Sequence, residues 1–464
     1  MNIVIQKPAS GGKVKAIASK SQAHRMLICA SLADKDTYIE CGETSDDIEA
    51  TVKCLENLGA RILRDGSGFN VGPIAFPISK NDAITQHCGE SGSTLRFMLP
   101  VCCALGVHAN FFMNGRLSER PMTPLLDELT AHGCKIAKGD DDDAGQLVED
   151  VPAQRCCGDR MSPGCDEGAP PQSDSCDVLR CQGKLSDGVY ELPGNVSSQF
   201  VSGLFFALSL LDDDSVVSVV GRVESRPYIA MTLDALNTFG VSISRFTANP
   251  DKGAAYRIRG AQRYRSPGTV RIEGDWSNAA FWLCAGAIGG DGVTCTGLNL
   301  GSTQGDMSIM RLLERFGARV AYEGGSVTVS PSKLRGIQID AIDTPDLVPA
   351  LSVVASVAEG ETTIYNAGRL RSKESDRLQA VTQALEILGA DIKETQDGLT
   401  IKGKSRLRGG TVSSCGDHRI AMMAAIASIV CENTVTINDA NAVNKSYPGF
   451  FRDFEALGGR ICEC

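Results

Sequence analysis

One phrase of apolar and polar positions recurs along the chain. An amphipathic helical segment ends in Leu, Phe or His followed by Gly. A small residue or Cys comes next, then a polar residue, then Ile or Val. The copies are CLENLGARI (54–62), ELTAHGCKI (128–136), ALNTFGVSI (235–243), LLERFGARV (312–320), ALEILGADI (384–392) and FEALGGRI (454–461). Gly after the last helical turn is the expected left-handed stop, and the branched residue opens a strand. The glycines Gly59, Gly133, Gly240, Gly317, Gly389 and Gly458 are 74, 107, 77, 72 and 69 residues apart. A near-constant period of this kind governs the fold prediction before any single motif does. Short alternating segments lie between the helical ones: AAYRIRG, GTVRIEG, SVTVSPS, TTIYNA and LTIKGK. Strands that alternate with helices predict an α/β protein. Six units suggest two domains of three, with a boundary near Val270–Asp275. The first 18 residues hold strand-like NIVIQ and KVKAIA and fit either half on this pattern.

The long spacing has a visible cause. Residues 139–177 carry eleven acids, two Arg, four Pro and four Cys, with almost no apolar residue. Such a segment buries too little surface to order itself and reads as a solvated surface loop. It accounts for nine of the chain's ten net negative charges, so the remainder is close to neutral. The global charge therefore says nothing about a basic partner. Its Cys156, Cys157, Cys165 and Cys176 have irregular spacing and no His beside them, so a zinc site is not predicted. The 18 cysteines of the chain include no C-x-x-C pair and read as free, mostly buried thiols. No run of 18 apolar residues occurs, and MNIVIQKPAS has no basic and apolar leader pattern. A cytoplasmic location is expected, with no membrane and no nucleic acid as partner.

Candidate chemistry lies at the helix starts. SKSQAHRMLICASL (19–32) opens an apolar helix with Lys20 and Arg25. A helix N-terminus carries about half a positive charge, so a cation there costs roughly 0.3–1 kcal/mol unless an anion offsets it. The anomaly recurs. Ser197-Ser198-Gln199 begins FVSGLFFALSLL, and Gly89-Glu90-Ser91-Gly92-Ser93-Thr94 leads into a helix carrying Arg96. Arg120 precedes Pro121, Ser225 and Arg226 precede Pro227, and Lys373 and Arg377 bracket the start of LQAVTQALEIL. Asp417-His418-Arg419 opens IAMMAAIASIV, and Lys445-Ser446-Tyr447-Pro448 precedes the last helix. Singly, the hydroxyls read as N-caps and the arginines as snorkelling side chains. Together, cations and free N–H groups predict sites for a ligand with several negative charges, held between the two halves. Phosphate-loop, dinucleotide and H-E-x-x-H signatures are absent, and the five His are scattered. No metal and no cofactor are expected. The site would work by electrostatics and proton transfer, with Asp346 and Glu374 as its carboxylates.

These residues carry a resemblance. SKSQAHR, SGSTLRF, ERPM, NVSSQF, SRPYI, EGDWSNAAF, QGD, DTPDL, SKESDRL, GDHRIAM and KSYPGFF stand in the order and spacing of the 5-enolpyruvylshikimate-3-phosphate synthase family of enolpyruvyl transferases. The chain resembles that family along its whole length except 139–177. The resemblance implies a two-domain inside-out α/β barrel of six βαβαββ repeats, three per domain, with the active site in the interdomain cleft. It also implies that residues 1–18 join 274–464 in one domain and that 19–273 form the other. The reaction implied is transfer of the enolpyruvyl group of phosphoenolpyruvate to the 5-hydroxyl of shikimate 3-phosphate, releasing phosphate, by a monomer.

Residue by residue, the resemblance implies that Lys20 touches both substrates. Ser21, Arg25, Ser197, Ser198, Gln199, Ser225 and Lys373 would hold shikimate 3-phosphate, and Asp346 would take the proton of its 5-hydroxyl. Gly92, Arg120, Gln199, Arg377, Arg419 and Lys445 would surround phosphoenolpyruvate. Glu374 would give and remove the proton at its methylene carbon. Gly92 would leave room in the pocket, implying sensitivity to glyphosate. Two positions depart from the family pattern. Glu90 stands where the family often has a neutral Asn, and Arg369 stands four residues before Lys373 in place of a frequent Asn. The sister transferase acting on UDP-N-acetylglucosamine carries a catalytic Cys, and NGRLSERP (114–121) has none. An inactive scaffold is disfavoured by the retained carboxylates and cations. An empty cleft lined this way is expected to set like charges against each other.

Overall fold

The computed structural model describes all residues except 76–77, 79–82, 140–176 and 250–252. The acidic insertion, with its four Cys, therefore lies outside the described residues apart from its two ends. Twelve α-helices occur among the described residues. They are α1 (Lys20–Ser31), α2 (Asp46–Asn57), α3 (Gly92–Leu105), α4 (Thr123–Ala131), α5 (Ser198–Leu208), α6 (Arg226–Thr238), α7 (Trp276–Ile288), α8 (Ile309–Phe316), α9 (Val348–Ala355), α10 (Arg377–Leu388), α11 (His418–Ala427) and α12 (Phe450–Ala456). The strands form six four-stranded sheets.

One unit shows the plan. Strand Gln338–Asp340 leads through α9 to Glu361–Tyr365, which runs parallel to it. After α10 come Asp391–Thr395 and Gly398–Lys402, antiparallel to each other. Gly398–Lys402 closes the sheet against Glu361–Tyr365, also antiparallel. The order strand, helix, strand, helix, strand, strand is the predicted βαβαββ repeat. The two helices of a unit differ in kind. All eight residues of α9 and all ten of α11 are buried. By contrast α8 buries Ile309, Leu312, Leu313 and Phe316, one stripe at helical spacing. The first helix of each unit is thus interior, and the second is an outer, amphipathic one. Every outer helix is followed by its predicted glycine, and the six have φ between 77° and 102°. That left-handed conformation admits Gly at no steric cost and turns the chain into the next strand.

Two units have exchanged their opening strands. Gly11–Lys15 runs into α1 but pairs in parallel with Gly292–Thr296. Thr269–Arg271 runs into α7 but pairs in parallel with Thr37–Glu40. The two connecting segments pass side by side, with an antiparallel bridge between Ala18 and Gly274. Ser19 N–H donates to the Glu273 carbonyl at 2.8 Å, and Asp275 N–H to the Ile17 carbonyl at 2.8 Å. Ile3–Lys7 lies between Val435–Asn438 and Arg460–Glu463 and completes the last unit. Two hydrophobic cores result. One joins residues from Ile3 to Ile17 with residues from Trp276 to Leu457, and the other runs from Ala23 to Ile272. Among the described residues, the chain crosses between them at this doubled segment alone.

Close helix contact depends on one residue. Gly203 in α5 faces the backbone of α3, and a Cβ there would lie 2.2 Å from the Arg96 carbonyl oxygen. Overpacking of this kind typically costs about 1–3 kcal/mol. Gly203→Ala is therefore expected to lower stability by about that amount in urea-induced unfolding.

Candidate active site

A cavity of about 430 Å³ opens between the two halves. Its walls are helix starts. From one half come Lys20, Ser21 and Arg25 of α1, Gly92 of α3, Arg120, the run Ser197-Ser198-Gln199, and Ser225. From the other come Asp346, Lys373, Glu374, Arg377 and Arg419. Of the residues expected in the site, Lys445 alone is absent from this lining. Its side chain is turned to Glu90, with Nζ 2.8 Å from Oε2.

The hydroxyls act in part as the bland reading expected. Ser19 accepts from Gln22 N–H, Ser91 from Thr94 N–H, and Ser197 from Gln199 N–H. Asp417 caps α11 by accepting from Arg419 N–H at 2.9 Å. The cations are not explained by capping. Lys20 and Arg377 are the first residues of α1 and α10, and Arg419 is the second of α11. Each points to a carboxylate or to the cavity.

Arg377 is the centre of this arrangement. Its Nε donates to Asp417 Oδ2 at 2.8 Å, its Nη1 to Asp346 Oδ1 at 2.9 Å and its Nη2 to Glu374 Oε2 at 2.5 Å. Arg419 donates from Nη1 to the Asp346 carbonyl at 3.1 Å and from Nη2 to Ser277 Oγ at 2.6 Å. It also approaches Asp346 Oδ2 at 3.3 Å. Lys373 Nζ stands 3.9 Å from Asp346 Oδ1, and Arg120 Nη1 stands 3.8 Å from Glu374 Oε1. The expected clash of like charges in an empty cleft is thus corrected, because carboxylates meet the cations. Lys20 finds Asp47 Oδ2 at 2.6 Å in the same way.

The electrostatic consequence is specific. Burial alone would raise the Asp346 carboxyl, but Arg419, Lys373 and Arg377 outweigh it and hold it below the usual range. Burial likewise opposes the charge on Glu374, yet Arg377, Arg120 and Lys445 hold its pKa well below normal. Both carboxylates are therefore ionised at neutral pH. Burial lowers Lys373 to about 8, against the pull of Asp346. Burial also lowers Arg25 to about 10, so it stays charged at neutral pH. His418 is held neutral by burial, with Lys20 and Arg419 adding to the effect.

Several lining residues were given no site role by the sequence. Arg96 donates to Gln199 Oε1 at 2.7 Å, and Gln199 Nε2 in turn donates to Ser93 Oγ at 2.8 Å. Tyr228 hydroxyl contacts Asp346 Oδ2 at 3.1 Å and Asp306 Oδ2 at 3.4 Å. The signal for Tyr228 was its place two residues after Arg226 in SRPYI, one helical turn inside α6. Arg369 donates to Ser225 Oγ at 2.6 Å and pairs with Glu224 at 2.5 Å, so it too joins the halves. The room expected beside Gly92 is taken up by Arg120, since a Cβ on Gly92 would lie 2.8 Å from Arg120 Nη1. Among the described residues no group of three or more His, Cys, Asp or Glu is placed to hold a metal. No helix among them is long and apolar enough to cross a membrane.

The architecture is that of the enolpyruvyl transferases. The structure aligns over its full length with an EPSP synthase from Acinetobacter baumannii, TM-score 0.74 at 23% identity, each chain covered completely. It also aligns with the enolpyruvyl transferase NikO from Streptomyces tendae, TM-score 0.72 at 18% identity over 99% of this chain and 98% of that one. At these identities the likeness establishes the fold. The sequence narrows it further: the family model of EPSP synthase (3-phosphoshikimate 1-carboxyvinyltransferase) matches residues 5–148 and 177–454, and the chain belongs to that family of transferases. A 3-phosphoshikimate 1-carboxyvinyltransferase of Clostridium kluyveri is 40% identical over 97% of this chain and 96% of its own length. One from Clostridium acetobutylicum is 38% identical, with the same coverage. The break in the family match, 149–176, falls inside the acidic insertion.

Arg377 and Asp417 are both almost fully buried. Removing one partner of a buried pair typically costs about 3–5 kcal/mol when the other charge is left without a counter-ion. Arg377 keeps Asp346 and Glu374, so Asp417→Ala is expected to destabilise the chain by less than that in urea unfolding, with loss of the α11 cap contributing about 0.5–2 kcal/mol.

Proposed function

We propose that this chain transfers the enolpyruvyl group of phosphoenolpyruvate to the 5-hydroxyl of shikimate 3-phosphate, with the residue roles that follow. The observation that carries the proposal is Arg377, which links Asp346 and Glu374 at 2.9 and 2.5 Å beside a cavity lined with hydroxyls and cations. Ser21, Arg25, Ser197, Ser198, Gln199, Ser225 and Lys373 hold shikimate 3-phosphate. Arg120, Arg377, Arg419, Lys445 and the Gly92 backbone hold phosphoenolpyruvate, and Lys20 contacts both. The unit formed by residues 1–18 with 274–464 and the unit 19–273 act as the two domains, each supplying part of the site.

The chemistry follows from the charges. Glu374 protonates the methylene carbon of phosphoenolpyruvate, and positive charge develops at the neighbouring carbon. The 5-hydroxyl oxygen attacks that carbon while its proton passes to Asp346. Glu374 then takes a proton back from the new methyl group as the C–O bond to phosphate breaks, and the proton held by Asp346 passes to the departing phosphate. The Arg and Lys side chains offset the charge of the departing phosphate. Arg377, Arg120 and Lys445 keep Glu374 ionised, and it must hold a proton to start the cycle. The substrates supply the change. Their anions offset Arg377, Arg120 and Lys445, the cations that depress its pKa. Stabilisation of the leaving group comes from guanidinium and ammonium groups, so the scheme calls on no metal or cofactor. A monomer in the cytoplasm suits it, because one chain supplies both halves of the cleft.

Phosphate release is the direct test. It is expected to require both phosphoenolpyruvate and shikimate 3-phosphate and to survive EDTA. Release with UDP-N-acetylglucosamine in place of shikimate 3-phosphate would indicate the sister reaction. Glu374→Gln removes the proton carrier and should lower kcat about 10²–10⁴-fold with the fold intact, as judged by circular dichroism. Lys373 gives a pH prediction. Its protonated form attracts the anionic substrate, and its pKa of about 8 marks where that charge is lost. The ratio kcat/KM for shikimate 3-phosphate should fall as pH rises through about 8, and Lys373→Arg should move the fall to higher pH.

A further inference from the structure

Glu90 and Lys445 form an ion pair across the cleft mouth that the reaction scheme does not use. Glu90 stands in the turn before α3, and Lys445 ends the short 3₁₀ turn Ala440–Lys445 of the other half. The ammonium is the inner partner and the carboxylate the outer one: the Lys445 side chain is 9% exposed and that of Glu90 47%. The carboxylate is seated over a glycine. Gly115 has φ 55°, and a Cβ there would lie 2.7 Å from Glu90 Oε1. The next residue after Lys445 stays close to the cavity wall, since Ser446 Oγ donates to the side chain of Asn278, a lining residue. Glu374 and Asp47 also act on the Lys445 charge. Lys445 therefore stands at the edge of the site, its ammonium bonded to Glu90 while Glu374 and Asp47 of the cavity wall act on it as well.

We infer that Glu90 is an internal counter-anion that holds Lys445 in the empty enzyme and must give it up to a substrate or product anion, so that Glu90 sets the affinity of this end of the site for small carboxylate and phosphate anions. This rests on the placement of phosphoenolpyruvate given above. The physical argument is one of competition. Lys445 gains little by exchanging one oxyanion for another, so the net affinity for the incoming anion is reduced. The same exchange, run backwards, helps phosphate leave. Where the family often has a neutral residue, that competition is missing.

The test uses Glu90→Gln, which keeps shape and removes charge, with inorganic phosphate as the probe in calorimetric titration of the full chain. The dissociation constant for phosphate is expected to fall about tenfold, and KM for phosphoenolpyruvate by a similar factor, with KM for shikimate 3-phosphate within twofold of the parent. Glu90→Asp shortens the arm by one methylene and should give a smaller gain of the same sign. Unchanged or weaker phosphate binding in Glu90→Gln overturns the inference, because Glu90 would then only support Lys445. An equal change in both substrates' KM would also overturn it. The titration needs no turnover. It therefore judges Glu90 even if the parent chain released no phosphate from the two substrates, the result that would defeat the assigned reaction instead.

Discussion

The structure depends on burying arginines at helix N-termini, where the backbone itself repels them. Arg377 is 1% exposed and begins a helix, a placement that costs free energy twice, through desolvation and through the helix dipole. Three carboxylates, Asp346, Glu374 and Asp417, make that placement possible. Two of the three are exposed to the cavity, and the third is fully buried and fixes the guanidinium from behind. The same device recurs with Arg419 on Asp346 and with Lys20 on Asp47. The cleft is therefore a set of cations neutralised from within the protein. In the proposed reaction an anionic substrate entering it competes for these partners and changes their protonation.

The strand exchange matters for the same reason. Each half takes one strand from the chain segment that leads into the other, and the two connections lie side by side at Ala18 and Gly274. Lys20 follows one connection directly, and its backbone N–H donates to Asp275 on the other at 3.1 Å. A residue proposed to touch both substrates is thus anchored where the two cores meet. Repeats that stack within one half bury their inner helices, and this doubled crossing, with pairs such as Arg369–Glu224 and Lys445–Glu90, joins the halves.

Much of the fold was legible in the sequence because its punctuation is local. Gly at the helix stop requires a left-handed backbone, and that requirement is met at Gly59, Gly133, Gly240, Gly317, Gly389 and Gly458 whatever lies around them. The amphipathic stripe of α8 and the almost wholly apolar run of α9 likewise state their own burial. The candidate site was legible where a residue type contradicts its position, as with Lys20, Arg377 and Arg419 at helix starts. The partners of Arg96, and Tyr228 altogether, were harder to find. Each is unremarkable within its helix and acquires meaning only from a side chain far along the chain, Gln199 or Asp346.

The sequence by itself determined the six repeats, the alternation of strands and helices, and an excess of cations and hydroxyls at helix starts. These follow from period, capping and dipole, which act within a few residues. The tertiary structure decided what each charge faces. Pairing between Arg377 and Asp417, between Arg369 and Glu224, and between Lys445 and Glu90 links residues 40, 145 and 355 positions apart. Electrostatic energy depends on distance and burial rather than on order along the chain, so the direction of Lys445 and the ionised state of Glu374 come from the packing of the two halves.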